Sequence, residues 1–253
     1  MLKKIQVFSN LNKAPDQFCI ARISDLIDAG VDIDNLIERI VILSKAIWGD
    51  VTDSQCYTWT KDMLKIQFEI CPELIYCAFN NDEVIATLTY IRTTQSKAEF
   101  KSNWLNKSGD GYLTTHIPTG DVAFGVDLSV LKKSPQKVSD RILLSAILIG
   151  VIGEGLKSAY LGARIPSYHK HKEMSVEDYV YGKRKNGKSL DPELYFYMKD
   201  GFEIVEIIPE YMDDPASMNY GVLIKWNNPL YRITKTLPFI KPVIRWVGKK
   251  MFL

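Results

Sequence analysis

Apolar residues at Leu36, Ile37, Ile40, Val41 and Leu43 recur at helical spacing behind an aspartate at Asp34, and the run closes at Trp48-Gly49. This spacing predicts an amphipathic helix. A second helix is predicted from Asp53-Ser54, a capping pair, to about Glu69, where Cys71-Pro72 ends it. The pattern then changes period. Leu74 to Phe79 and Val84 to Thr94 are rich in β-branched and aromatic residues and are joined by Asn80-Asn81-Asp82-Glu83, which predicts a hairpin.

From Lys97 to Thr119 the chain is polar and aperiodic, with Gly109-Asp110-Gly111 as a turn signal, and is expected to be a loop. Asp121 to Leu131 has the pattern of a strand, about Gln136 to Leu156 that of a long apolar helix, and Ala159 to Ile165 that of another strand. Strand, helix and strand of these lengths fit a right-handed crossover, so part of the sheet is expected to be parallel. Ser167 to Leu190 is charged and aromatic and is expected to be an insertion over a site or a subdomain edge. Asp191-Pro192 opens a short helix that Gly201 closes, and strands at Phe202 to Ile208 and Tyr220 to Trp226 follow.

Composition narrows the class. Apolar residues at 46% and charged residues at 25% are the usage of a soluble globular protein, not of a disordered chain or a fibrous repeat. The net charge of +2 conceals an asymmetry, because residues 227–253 hold six basic side chains and no acidic one, leaving the remainder net acidic. Nucleic-acid binding by the main body is therefore not expected. The four cysteines form no CxxC pair and the first residues lack an apolar run, so a reducing cytoplasm is the expected location, with peripheral membrane association an option for the basic tail.

Three stretches carry a resemblance: PTGDVAFGVDLSV (Pro118 to Val130), LGARIPSYHKH (Leu161 to His171) and DPELYFYMKDGFEIVEIIPEYMDDPASMNYGVLIKW (Asp191 to Trp226). They resemble the GNAT superfamily of N-acyltransferases, in the subgroup found beside or fused to carbon-nitrogen hydrolases. The likeness covers roughly Leu36 to Trp226. It implies an α/β GNAT fold: a mixed, mostly antiparallel sheet flanked by helices and splayed between its fourth and fifth strands. The chain is expected to divide into a domain over residues 1–228, with the insertion at 167–190, and a basic amphipathic tail at 229–253 that lies outside the resemblance.

The implied acyl donor is acetyl-CoA or a longer acyl-CoA, or an acyl carrier protein, and the implied acceptor a small-molecule amine. Backbone groups of Leu128, Ser129 and Val130 would pair with the pantetheine amides at the splay. The pyrophosphate turn maps onto Lys132 to Leu143, with Lys137, Val138, Ser139, Asp140 and Arg141 at its heart. This turn contains no glycine where the family usually has it, so Cβ atoms crowd the approach and Asp140 opposes a phosphate. Tyr197 stands in a Tyr-x-x-x-Gly-Phe arrangement and is the implied general acid, with Tyr195 as alternative.

Arg164 and Tyr168 end the fifth strand and are candidate substrate contacts; for Arg164 a structural ion pair is an equal alternative. Base candidates are His116, Asp121, Glu203 and Glu206, none preferred. His169 and His171 do not have ligand spacing, and no metal is expected. The tail places Ile240, Val243, Ile244, Val247 and Met251 at helical spacing, with Trp246 and Phe252 as possible anchors. Packing on the domain, a membrane surface and a partner protein all remain open. A noncatalytic GNAT-like domain that binds acyl-CoA or a protein is the rival functional reading.

Overall fold

The computed structural model describes residues 18–49, 57–135 and 137–253. Seven strands form one sheet: β1 (Cys19–Arg22), β2 (Ile75–Asn80), β3 (Glu83–Thr93), β4 (Val122–Val130), β5 (Ser158–Arg164), β6 (Glu203–Ile208) and β7 (Gly221–Asn227). Their order is β1-β2-β3-β4-β5-β7-β6, and every neighbouring pair is antiparallel except β4 and β5. Helices α1 (Ile23–Asp28), α2 (Ile33–Trp48), α3 (Lys61–Ile70), α4 (Gln95–Glu99), α5 (Trp104–Ser108), α6 (Val138–Ser145), α7 (Val176–Tyr181), α8 (Pro192–Met198), α9 (Tyr231–Thr236) and α10 (Lys241–Phe252) surround it. This is the α/β GNAT fold.

The hairpin of β2 and β3 turns through Asn81, whose positive φ suits a tight connection. The expected crossover is present, since α6 leads from β4 towards its parallel partner β5. Beyond α6 the helix does not end. Ala146–Ile152 continues it with wider π winding, and this segment is almost wholly buried. Gly150 lies there against Tyr90, where a Cβ would collide with the tyrosine oxygen.

Several expectations are corrected. The helix expected behind Asp34 is capped by Asp32, whose side chain accepts from the Asn35 amide at 3.1 Å. The helix expected from Asp53-Ser54 begins at Lys61 under a Thr60 cap; Asp53 and Ser54 themselves lie outside the described residues. The segment expected to be a loop at 97–119 contains most of α4, all of α5 and a tight left-handed turn at 109–113. Helices of five residues are too short to show a period, and only their caps, Thr94 and Asn103, betray them. Strand β1 and α1 were not anticipated, although Ile20, Ile23 and Leu26 are buried.

The insertion at 167–190 buries Tyr168, Tyr179 and Val180 and buttresses α8. Asp191 is the junction: one carboxylate oxygen caps α8 by accepting from the Glu193 and Leu194 amides, and the other accepts from the Ser167 amide and the Tyr179 hydroxyl. After β7 the chain returns through α9 to α10, which lies on the helix of residues 138–152. No helix among the described residues is long and apolar enough to cross a membrane.

Candidate active site

β4 and β5 pair only over Ala123 with Ala159, Phe124 with Tyr160 and Gly125 with Leu161. Beyond that point β4 stays with β3 as far as Val130, and β5 stays with β7 as far as Arg164, so the two strands diverge. A bulge marks the divergence: Tyr90 faces Gly125 and Thr89 faces Asp127, leaving Val126 as the extra residue. The Val126 carbonyl accepts from the Trp104 indole at 2.8 Å, so α5 holds the bulge in place.

Two clefts meet at this divergence. The first, about 580 Å³ and open to solvent, lies between the strands and the helix of residues 138–152, with Tyr90, Leu143, Ile147 and Val151 on its walls. The second, about 470 Å³, lies on the other side and is walled by Trp48, Tyr57, Trp59 and Trp104, with Arg164 and Glu193. Val126, Asp127, Leu128, Gly162 and Tyr197 line both. At Gly162 a Cβ would run into the Tyr211 ring, so the close approach of that ring requires glycine.

The sequence candidates fall into three groups. Tyr197 stands at the junction of the clefts, its ring packed edge-on to Phe196 and Phe202. Burial, then the Glu193 charge, pushes its hydroxyl well above the usual phenol range, so it stays protonated at neutral pH. Tyr195 lines neither cleft and carries Lys188 over its ring. Leu128, Ser129 and Val130 lie on the β4 segment that has left β5. The Ser129 side chain is occupied: it accepts from the Trp48 indole at 2.7 Å and donates to Asp127 at 2.6 Å.

At the glycine-free turn, Lys137 adopts φ +72°, a left-handed conformation that favours glycine, immediately before α6. The Arg141 amide bonds back to the Lys137 carbonyl at 2.9 Å, which leaves the Ser139 and Asp140 amides in the first turn, where a helix has no internal acceptors. Val138 is buried. Asp140 does not stand alone, because Lys199 pairs with it. Arg141 is drawn away from the turn towards α10, donating to the Met251 carbonyl at 3.4 Å and lying over Phe18.

Arg164 is in the second cleft. Its Nε donates to the buried Asp214 at 2.8 Å and its guanidinium lies over the Trp48 ring, 5.1 Å from the centroid. The ion pair and the cleft position therefore coexist. Tyr168, in contrast, lines neither cleft: its ring packs with Tyr179 and Tyr220 and its hydroxyl donates to the Met174 carbonyl at 3.0 Å. The four base candidates are also elsewhere. His116 accepts from the Arg92 amide, Glu206 pairs with Lys101, and Asp121 and Glu203 face solvent.

Two carboxyl groups escaped the sequence reading. Asp127 is buried and accepts from Thr87 at 2.7 Å as well as from Ser129; burial outweighs these bonds and raises its pKa. Glu193 lies in the second cleft, and burial pushes it up to about 7 against the opposing charge of Arg164. The alternation of β4 places Asp127 and Ser129 on one face, which was the available signal. Among the described residues no group of three or more His, Cys, Asp or Glu is arranged to hold a metal ion.

No protein-family model matches the chain. It is 30% identical over 203 residues to a Bacillus subtilis (strain 168) protein named Probable hydrolase YhcX, in an alignment taking in 77% of this chain and 39% of that relative. The chain thus spans about two fifths of that protein's length. To a second protein of the same organism, Uncharacterized N-acetyltransferase YkwB, it is 26% identical over 197 residues, covering 78% of this chain and 86% of the relative. Among solved structures, the loading GNATL domain of CurA from Lyngbya majuscula superposes with a TM-score of 0.65 at 17% identity, covering 83% of this chain and 98% of that one. The GphF GNAT-like decarboxylase in complex with isobutyryl-CoA gives 0.65 at 18% identity, with the same coverage. At such identities these two structures establish a common fold and nothing finer.

Proposed function

We propose, since this chain belongs to the GNAT superfamily, that it moves an acyl group from a CoA or carrier-protein thioester in the first cleft to an amine in the second. The observation that carries this reading is the junction itself: one protonated phenol, Tyr197, borders both spaces at the point where β4 leaves β5. The freed β4 edge offers backbone groups to pantetheine amides, and the first-turn amides of α6 suit a pyrophosphate. The left-handed Lys137 supports this fit, since the backbone bends there as a glycine would bend it.

In the reaction the amine nitrogen attacks the thioester carbonyl, a C–N bond forms and the C–S bond breaks. The amine must first be neutral, and Asp127, at the junction and with a raised pKa, is the group this reading assigns to receive its proton. Tyr197 gives its proton to the departing thiolate. A backbone amide near Val130 is the candidate donor to the developing oxyanion.

The second cleft also favours a kind of acceptor. Aromatic walls and two carboxyl groups attract an ammonium, while Arg164, anchored through Nε, keeps its other nitrogens for a carboxylate. An amine bearing a carboxylate fits both. The test is thiol release from acetyl- and longer acyl-CoAs over a panel of amines with and without carboxylates. Turnover that Tyr197→Phe lowers on the order of a hundredfold supports the reading; tight acyl-CoA binding with no turnover on any amine would instead favour a noncatalytic binding domain.

A further inference from the structure

Helix α10 is inverted relative to an ordinary surface helix, which buries its apolar face and wets its charges. Three of its four charges are turned inward. Arg245 pairs with Glu154 at 3.0 Å, Lys249 with Asp25 of α1 at 3.0 Å, and Lys241 donates to the Glu154 carbonyl at 3.2 Å. Between them Gly248 sits so close to the π-wound segment that a Cβ would lie 2.7 Å from the Ile149 side chain.

The outward face is the apolar one. Val243 is 59% exposed and Trp246 62%, with Val247 and Met251 beside them, and the row is extended by Phe239 at 71%. Half of the large apolar side chains that the described residues expose lie between Ile233 and Met251. Lys250 stands within this row, and Arg232 and Lys235 flank it on α9; among the described residues no carboxylate pairs with these three. Arg245 and Lys249 are each paired with a carboxylate on the inward side, whereas Lys250, Arg232 and Lys235 stand exposed beside the aromatic and aliphatic groups.

We infer that this face docks on an anionic membrane surface, with α10 lying in the plane of the interface. Apolar anchors and unpaired cations on one face are the two components that such binding needs. A second copy of the same face would bring like charges together, which argues against self-association. The inference is independent of the acyl-transfer reading, because none of these residues lines either cleft.

The experiment is co-flotation of the full chain with phosphatidylcholine vesicles, with and without phosphatidylglycerol, at low and high salt. Flotation is expected only with the anionic vesicles and is expected to fall as salt rises. Lys235→Gln and Lys250→Gln should each weaken partitioning about fivefold. Val243→Glu should lower it more than tenfold, roughly, with an unchanged thermal melt because the side chain faces water. Brominated lipid should quench tryptophan emission, and Trp246→Phe should remove that quenching. Absence of flotation on anionic vesicles, or flotation indifferent to these substitutions, would overturn the inference. So would a dimer in sedimentation equilibrium that Val243→Glu dissociates, since the face would then belong to a second copy.

Discussion

Lys199 reaches across to Asp140, so the residue that follows α8 is tied to the first turn of α6. The only acidic side chain in the proposed phosphate turn is thereby neutralised. Lys199→Ala should leave that charge beside the bound pyrophosphate and weaken CoA binding about two- to fivefold at low salt, read by isothermal titration. Adding Asp140→Asn should restore it. Both partners are about one third exposed, so folding stability should change by less than about 1 kcal/mol.

Tyr197→Phe keeps the ring contacts with Phe196 and Phe202 and removes only the proton. Turnover should fall on the order of a hundredfold while acyl-CoA affinity is unchanged. Because burial raises the phenol's pKa, its loss should not appear as an alkaline limb near neutrality. Tyr195→Phe should leave steady-state rates as they are.

Glu193 gives stability a pH dependence of defined sign. Its pKa is raised by burial to about 7, above the unfolded value, so the fold binds the extra proton between those two values. The contribution of Glu193 to stability should therefore be greatest at acid pH, fall as pH rises from about 4.5 to 7, and level off above. Glu193→Gln should remove that slope and make the protein more stable at pH 8 by up to about 2–3 kcal/mol, measured by urea melts at two pH values. A slope that survives the substitution would assign it to another group.

Arg164→Gln strands a buried carboxylate. Asp214 also caps the turn at Pro215–Ser217 and accepts from the Ser217 hydroxyl, so it cannot move to water. A loss of about 3–5 kcal/mol in unfolding free energy is expected, and Asp214→Asn in the same chain should recover part of it. If the acceptor bears a carboxylate, Arg164→Lys should raise its KM with a smaller effect on uncharged amines.

Much of this was legible from local pattern. Leu36, Ile37 and Ile40 repeat with the helical period, the β2–β3 hairpin has its turn residues, and Tyr197 with Gly201-Phe202 is a contiguous signal. The second cleft was not, because Trp48, Trp59 and Trp104 come from separate segments and meet only after the chain has folded. Asp127 was hidden for a different reason. One acid in an alternating strand normally faces water, whereas here it turns inward to Thr87 and Ser129. Lys137 is a third case: a left-handed lysine leaves no compositional trace, so the missing glycines spoke only of a crowded approach and not of the bend that the backbone makes there.

The wide winding from Ala146 to Ile152 makes the bore of the first cleft depend on arithmetic. A π turn takes up about one additional residue per revolution, so deleting one would let the stretch rewind as an ordinary helix while the residues on either side keep nearly the same facing. What would change is the π turn itself, whose Gly150 is set against Tyr90 on the cleft wall. Chains of this architecture that differ by a single residue in that stretch should accept acyl groups of different girth, even with every lining side chain the same.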